Sequence, residues 1–126
     1  MELDVSKLGP APWEWFDEDQ QHVFEGERLW RFGVWDAEQR VICMTPLSNG
    51  SPGNPECDHA EFIALARNAL DIMLRRGWGV GFSGQEGPMH GWFIRLPESL
   101  FPLDRRLYPL ANLRAADPFT ALVEAD

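Results

Sequence analysis

The chain has 126 residues, 20 acids against 11 bases, a formal net charge of −9, two cysteines and six tryptophans. That length predicts a single domain over 1–126, large enough to hold a core without disulfides or a structural metal. The acidity disfavours a duplex-binding protein, because phosphate contacts need a basic face, and no apolar run approaches the ~20 residues of a membrane span.

The charge is unevenly placed. Residues 1–27 hold eight acids and one base, or −7, whereas residues 28–126 hold 12 acids and 10 bases, or −2. The chain opens Met1-Glu2-Leu3-Asp4, acidic where a signal peptide is basic, with no apolar stretch behind it. A cytoplasmic protein is therefore expected, with Cys43 and Cys57 reduced and serving as small buried or half-buried residues.

Residues 1–12 read as an irregular arm, broken by Gly9, Pro10 and Pro12. Trp13 to Phe16 start a short edge strand, residues 17–21 read as a polar turn or loop, and His22 to Glu25 as a second short strand. Over 29–35, Trp30, Phe32 and Val34 fall on one face by period two. Residues 36–39 turn the chain into a partner strand over 40–45, giving a hairpin. Residues 46–56, with three prolines and two glycines, read as a loop.

Residues 58–76 are the main helix. Asp58 is the expected N-cap, with Glu61 three residues on as in a capping box. Phe62, Ile63, Ala66, Ala69, Leu70, Met73 and Leu74 form an apolar stripe at helical spacing. Arg67, Asp71 and Arg75 are spaced for ion pairs on the outer face, and Gly77 is the expected stop. A second hairpin follows, with strands over 78–82 and 90–96. The Pro-rich wrap 97–116 has room only for short helical turns. Asp117-Pro118 opens a short terminal helix over 119–124. The expected fold is α+β: a small antiparallel sheet of about four to five strands, the 58–76 helix on one face, an irregular C-terminal wrap and a terminal helix.

Few motifs carry chemistry. Gly79-Val80-Gly81-Phe82-Ser83-Gly84 has the letters of a dinucleotide loop, but the glycines follow a helix and lie in a strand, where no helix N-terminus meets a pyrophosphate. They are expected to let Trp78 or Trp92 pack across the sheet. Cys43, Cys57, His59 and His90 are zinc-ligand types without the paired Cys-x-x-Cys spacing, so no metal is assigned, and His59 is expected exposed in the first helical turn. Nothing in the chain points to a cofactor. No nucleophile elbow surrounds Ser83.

The most unusual composition is Trp13-Glu14-Trp15-Phe16-Asp17-Glu18-Asp19. Trp13, Trp15, Phe16, Asp17, Glu18 and Asp19 are the candidate partner-binding residues: tryptophan is enriched in binding hot spots, and carboxylates steer a basic partner. The plainer reading packs Trp13 and Phe16 into the core with the acids in water.

At the main helix, Ala60-Glu61-Phe62-Ile63-Ala64-Leu65-Ala66-Arg67 resembles the Ala-Glu-Phe-Ile-Ala-x-Ala-Arg helix of short uncharacterised phage, prophage and bacterial accessory proteins. Their Pro-Gly-Pro-Trp opening is similar to Pro10-Ala11-Pro12-Trp13, with Ala in place of Gly. The helix departs again at Asn68-Ala69-Leu70, where relatives often carry a Pro and a Leu-Leu pair. Met73-Leu74-Arg75-Arg76-Gly77-Trp78 is similar to a second phrase of small bacterial proteins. The resemblance spans roughly residues 10–78. It implies a mobile-element setting and an accessory role, and supplies no catalytic residues.

The function expected is thus non-enzymatic protein–protein binding through the acidic, Trp-rich N-terminal surface, to a partner with a basic face. Direct nucleic-acid binding and membrane insertion are not expected. Two alternatives stand beside it. One is a small hydrolase or ligand-binding domain with a site near Ser83, Glu86 and His90 in the Gly-rich 79–91 hairpin. The other is an acidic nucleic-acid mimic with carboxylates along one face.

Overall fold

The computed structural model describes residues 2, 4–24, 27–47 and 55–126, and for residues 19–24 and 27–28 the backbone alone. The fold is α+β, as the sequence predicts. Strands β1 (Glu14–Phe24), β2 (Glu27–Trp35) and β3 (Val41–Met44) precede helix α1 (Pro55–Arg76); strands β4 (Gly79–Ser83) and β5 (Gly91–Arg95) and helices α2 (Tyr108–Asn112) and α3 (Pro118–Ala125) follow it. The five strands form two antiparallel sheets rather than one, β1-β2-β3 and β4-β5. The chain divides into two compact units, Met1–Arg67 and Asn68–Asp126, with α1 contributing turns to each.

In the N-terminal unit, the period-two pattern of β2 works as expected. Phe32 and Val34 are fully buried and Trp30 is partly buried beside them, against Trp13 and the small helix residues Cys57, Ala60 and Ala64. The arm is pinned rather than loose. Val5–Lys7 form a 3-10 turn capped by Asp4, and Leu8 packs on the core. The Gly9 carbonyl accepts from Trp13 Nε1 at 3.0 Å and from Arg67 Nη2 at 3.3 Å.

The 36–40 connection is built around Asp36, only 1% exposed. Its Oδ1 accepts from the backbone N–H groups of Glu38 and Arg40 at 2.9 and 3.0 Å, and Oδ2 from Arg40 Nε at 3.2 Å. Burial pushes the Asp36 carboxyl up, but these donors together outweigh it and hold the pKa below the ordinary carboxylate value. The next backbone N–H, of Ala37, donates to the Pro10 carbonyl at 3.0 Å, tying the hairpin to the arm.

In the C-terminal unit, Ala69 and Ile72 of α1 meet Trp78, Ile94 and the inner side of α3: Ala121, Leu122 and Ala125. Asp117 caps α3 as expected, accepting from Thr120 N at 2.8 Å. The wrap contains only short turns and α2, also as expected. Gly77, at φ +70°, ends α1, and its N–H donates to the Met73 carbonyl at 2.9 Å.

Several expectations are corrected. The 17–21 stretch is not a loop: β1 runs unbroken from Glu14 to Phe24, with a register shift between Glu18 and His22 taking up the irregularity. An edge strand tolerates such charges because one side of it faces water. Helix α1 begins at Pro55, so Asp58 lies within its first turn, favourably placed for the dipole, and is not its cap. Part of the loop expected before it, 48–54, lies outside the described residues.

The expected helix stripe holds only in part: Ala69 is buried and Met73 packs on the C-terminal core, as expected. Phe62 is 54% and Leu74 60% exposed, while the buried helix positions are Cys57, Ala60, Ala64, Ala69 and Ile72. In the N-terminal unit the strands supply large side chains, so the helix approaches them through Cys57, Ala60 and Ala64, whereas in the C-terminal unit it presents Ile72 beside Ala69. Arg67 turns inward over the Trp13 ring, 5.6 Å from its centroid, instead of joining Asp71; the Asp71–Arg75 pair forms as expected. Gly81 accommodates Phe93, not Trp78 or Trp92.

Candidate functional site

The acidic-aromatic segment lies at the start of β1, and strand geometry divides it between two faces. Trp15 pairs with Val34 and Asp17 with Phe32, on the core side of the sheet; Phe16 pairs with Gly33 and Glu18 with Arg31, on the other. Trp13 is withdrawn from any surface, being buried in the core. Trp15 remains partly exposed, its ring 6.3 Å from that of Phe32 at the edge of the core. Asp17 is exposed beside it, and the side chain of Asp19 lies outside the described residues. Six neighbours in sequence are therefore not one surface.

What the fold assembles instead is the outer face of the N-terminal sheet. Phe16 stacks on Trp35 with ring centroids 4.5 Å apart and planes inclined by 25°. Room for this comes from Gly33, directly opposite Phe16: a Cβ there would strike the Phe16 ring, and would come within 2.6 Å of Met44 Sδ from the other neighbouring strand. Phe16, Trp35 and Met44 thus close over a glycine floor. Val41, 56% exposed and paired with Trp35, and the exposed Ile42 extend the apolar surface along the β3 edge.

Carboxylates bracket this patch. Glu14 and Glu18 share the outer face of β1 with Phe16 between them, since side chains two apart point the same way. Glu14 is exposed, opposite Trp35. Glu18 meets Arg31 across the strands at 3.9 Å, an ion pair too long for a hydrogen bond. The face has the composition of a protein contact, an aromatic and aliphatic centre with a charged rim. Among the described residues it offers no set of metal ligands.

Sequence reasoning found Phe16 and Glu18 and missed Trp35, Met44, Val41 and Gly33. The signal was present: if Trp30, Phe32 and Val34 face the core, then Arg31, Gly33 and Trp35 face away from it.

The other candidates are not brought together. Glu86 and His90 are exposed, and among the described residues no hydrogen bond or ion pair joins Ser83, Glu86 and His90; the His90 ring instead meets the edge of Phe82 at 5.5 Å. Cys43 and Cys57 form no disulfide and pack in the N-terminal core. His59 is exposed, as expected, but lies past the first turn of α1, beside Glu56 at 3.8 Å. Among the described residues no cluster of three or more ligating side chains occurs. No described helix is long and apolar enough to cross a membrane. Compared with family models, curated proteins and solved structures, the chain matches none.

Proposed function

We propose that this is a non-enzymatic accessory protein that binds another protein through the outer face of its N-terminal sheet. The observation that carries the reading is the Phe16–Trp35 stack over Gly33, facing away from the core and flanked by exposed Val41, Ile42 and Met44. A surface aromatic pair that contributes nothing to the core is a poor use of a small domain unless a partner covers it. Glu14, exposed at the end of this face, gives it an acidic rim that suits a basic partner. The accessory role and mobile-element setting suggested by the 60–67 helix fit a protein whose work is binding. Two cysteines without a disulfide between them fit a cytoplasmic location.

The test is affinity purification from the native host at low and high salt, with wild type and two variants. Val41→Lys places a charge in the apolar patch, and Glu14→Lys reverses the rim. The expected result is a discrete protein that is retained by the wild type, weakened by salt and lost with both variants, while the thermal midpoint holds. An identical set of co-purifying proteins for all three would overturn the reading.

A further inference from the structure

The C-terminal unit holds a cleft of about 410 Å³ between β5 and the wrap that follows it. Its size falls within the range of small-molecule sites, roughly 300–1,000 Å³. Phe93, Leu96, Phe101, Leu103 and Ala111 give it an apolar lining, and its polar groups are Arg95, Arg114 and Glu98. Alternation along β5 sends Ile94 into the core and turns Phe93 and Arg95 to the other face.

Two features mark the cleft as more than a packing gap. First, Arg114 is held in place. Its guanidinium carbon lies 4.9 Å from the Phe93 ring centroid. Its Nε donates to the Met89 carbonyl at 3.2 Å, and its Nη1 to the carbonyls of Ala111 and Leu113, both at 3.0 Å. Phe93 is supported from beneath by Gly81, where a Cβ would come within 2.6 Å of the ring. Second, the positive charge is not neutralised. Among the described residues Arg114 donates only to carbonyls, its Nη2 donates to nothing, and neither Arg114 nor Arg95 is ion-paired, with Glu98 included. In a chain of net charge −9, residues 91–116 carry four arginines and two acids.

We infer that this cleft binds a small aromatic carboxylate, its ring against Phe101 and Leu103 and its carboxylate accepting from Arg114 Nη2 with Arg95 at the mouth. A stacked guanidinium whose Nε and Nη1 are already committed presents its remaining N–H groups in a fixed direction, which suits a planar anion.

The experiment is calorimetric titration of the full chain with 1-naphthoate and, separately, with its neutral amide. The expected result is saturable one-site binding of the acid, on the order of tenfold tighter than the amide. Arg95→Gln and Arg114→Met should each move that ratio towards one, Leu103→Trp should abolish binding of both compounds by filling the cleft, and Arg106→Gln, outside the lining, should change nothing. Because Arg114 also holds three carbonyls, Arg95→Gln and Leu103→Trp decide the matter if Arg114→Met fails to fold. No saturable heat, equal affinity for acid and amide, or binding that survives Leu103→Trp would each overturn the inference. None of these outcomes depends on the N-terminal sheet face.

Discussion

In the N-terminal unit, three strands set Phe32 and Val34 against Cys57, Ala60 and Ala64 of α1; in the C-terminal unit, two strands and α3 set Trp78, Ile94 and Leu122 against Ala69 and Ile72. The N-terminal core sets large strand residues against small helix ones, whereas the C-terminal core takes Ile72 from the helix and the small Ala121 and Ala125 from α3. The fastenings differ. The N-terminal unit uses groups removed from water: the Asp36 carboxylate and the indole N–H of Trp13. The C-terminal unit uses its surface: Asp126 receives Arg75 at 3.0 Å and also pairs with Arg76, with all three side chains partly in solvent. The net charges diverge as well, 13 acids and five bases in one unit against seven and six in the other, or −8 and −1. A buried fastening is costly to lose because its partners are orphaned, whereas water replaces an exposed one.

The largest test of this contrast is at the cores. Phe32→Ala should cost about 3–5 kcal/mol and Leu122→Ala about 2–5 kcal/mol, read from denaturant midpoints. Hydrogen exchange sharpens the comparison. If α1 couples the units, Phe32→Ala will lower protection in α3 as much as in β2; if the units open separately, α3 will keep its wild-type rates.

The next effect belongs to the fastenings. Asp36→Ala removes the acceptor of two backbone N–H groups and should lower the thermal midpoint clearly, whereas Asp126→Asn should shift it little, and less still in high salt. A larger drop for Asp126→Asn would invert the contrast. The α3 cap stands between them, and Asp117→Ala should cost about 1 kcal/mol.

Acid provides a smaller and graded measure. The carboxyls of Asp36, Asp117 and Asp126 all titrate below their ordinary value when folded. For Asp117 the backbone N–H of Thr120 is the largest cause, and for Asp126 the Arg76 guanidinium is. The unfolded chain therefore binds protons first, so their contribution is complete above the ordinary carboxylate range and is lost as pH falls through the lowered folded values. Asp36→Asn should flatten that loss at low salt and at high salt alike. The contribution of Asp126 should fade as salt is added. Smallest of all, Val41→Lys and Glu14→Lys should leave the midpoint unchanged and show only in partner retention.

Much of the fold was legible because alternation and punctuation are local. The Trp30-Phe32-Val34 face, the Gly77 stop and the Asp117 cap each follow from a few adjacent residues. The helix face was legible only in part: of the stripe Phe62, Ile63, Ala66, Ala69, Leu70, Met73 and Leu74, Ala69 is buried and Met73 packs against the core, whereas Phe62, Ile63 and Leu74, chosen by hydrophobicity, are exposed. The site was half legible. Phe16 and Glu18 were singled out by composition, but Trp35 and Met44 reach Phe16 only through strand pairing across Gly33, a contact no single segment contains. Asp36 was read as a turn residue, and its burial depends on the arm folding back as far as Pro10.

The small residues of α1 have a consequence for how freely this sequence can change. A position filled by Ala60, Ala64 or Ala69 has almost no side chain to lose, so it gives little warning of its importance in a scan that truncates to alanine. Enlargement reveals it: Ala64→Leu must push a methylene-rich side chain into the space held by Phe32 and Val34, at about 1–3 kcal/mol. The helix is thus permissive towards solvent and strict towards its cores. At Ala60, Ala64 and Ala69 its tolerance is set by an upper limit on volume, and of its large described residues only Ile72 is buried in a core.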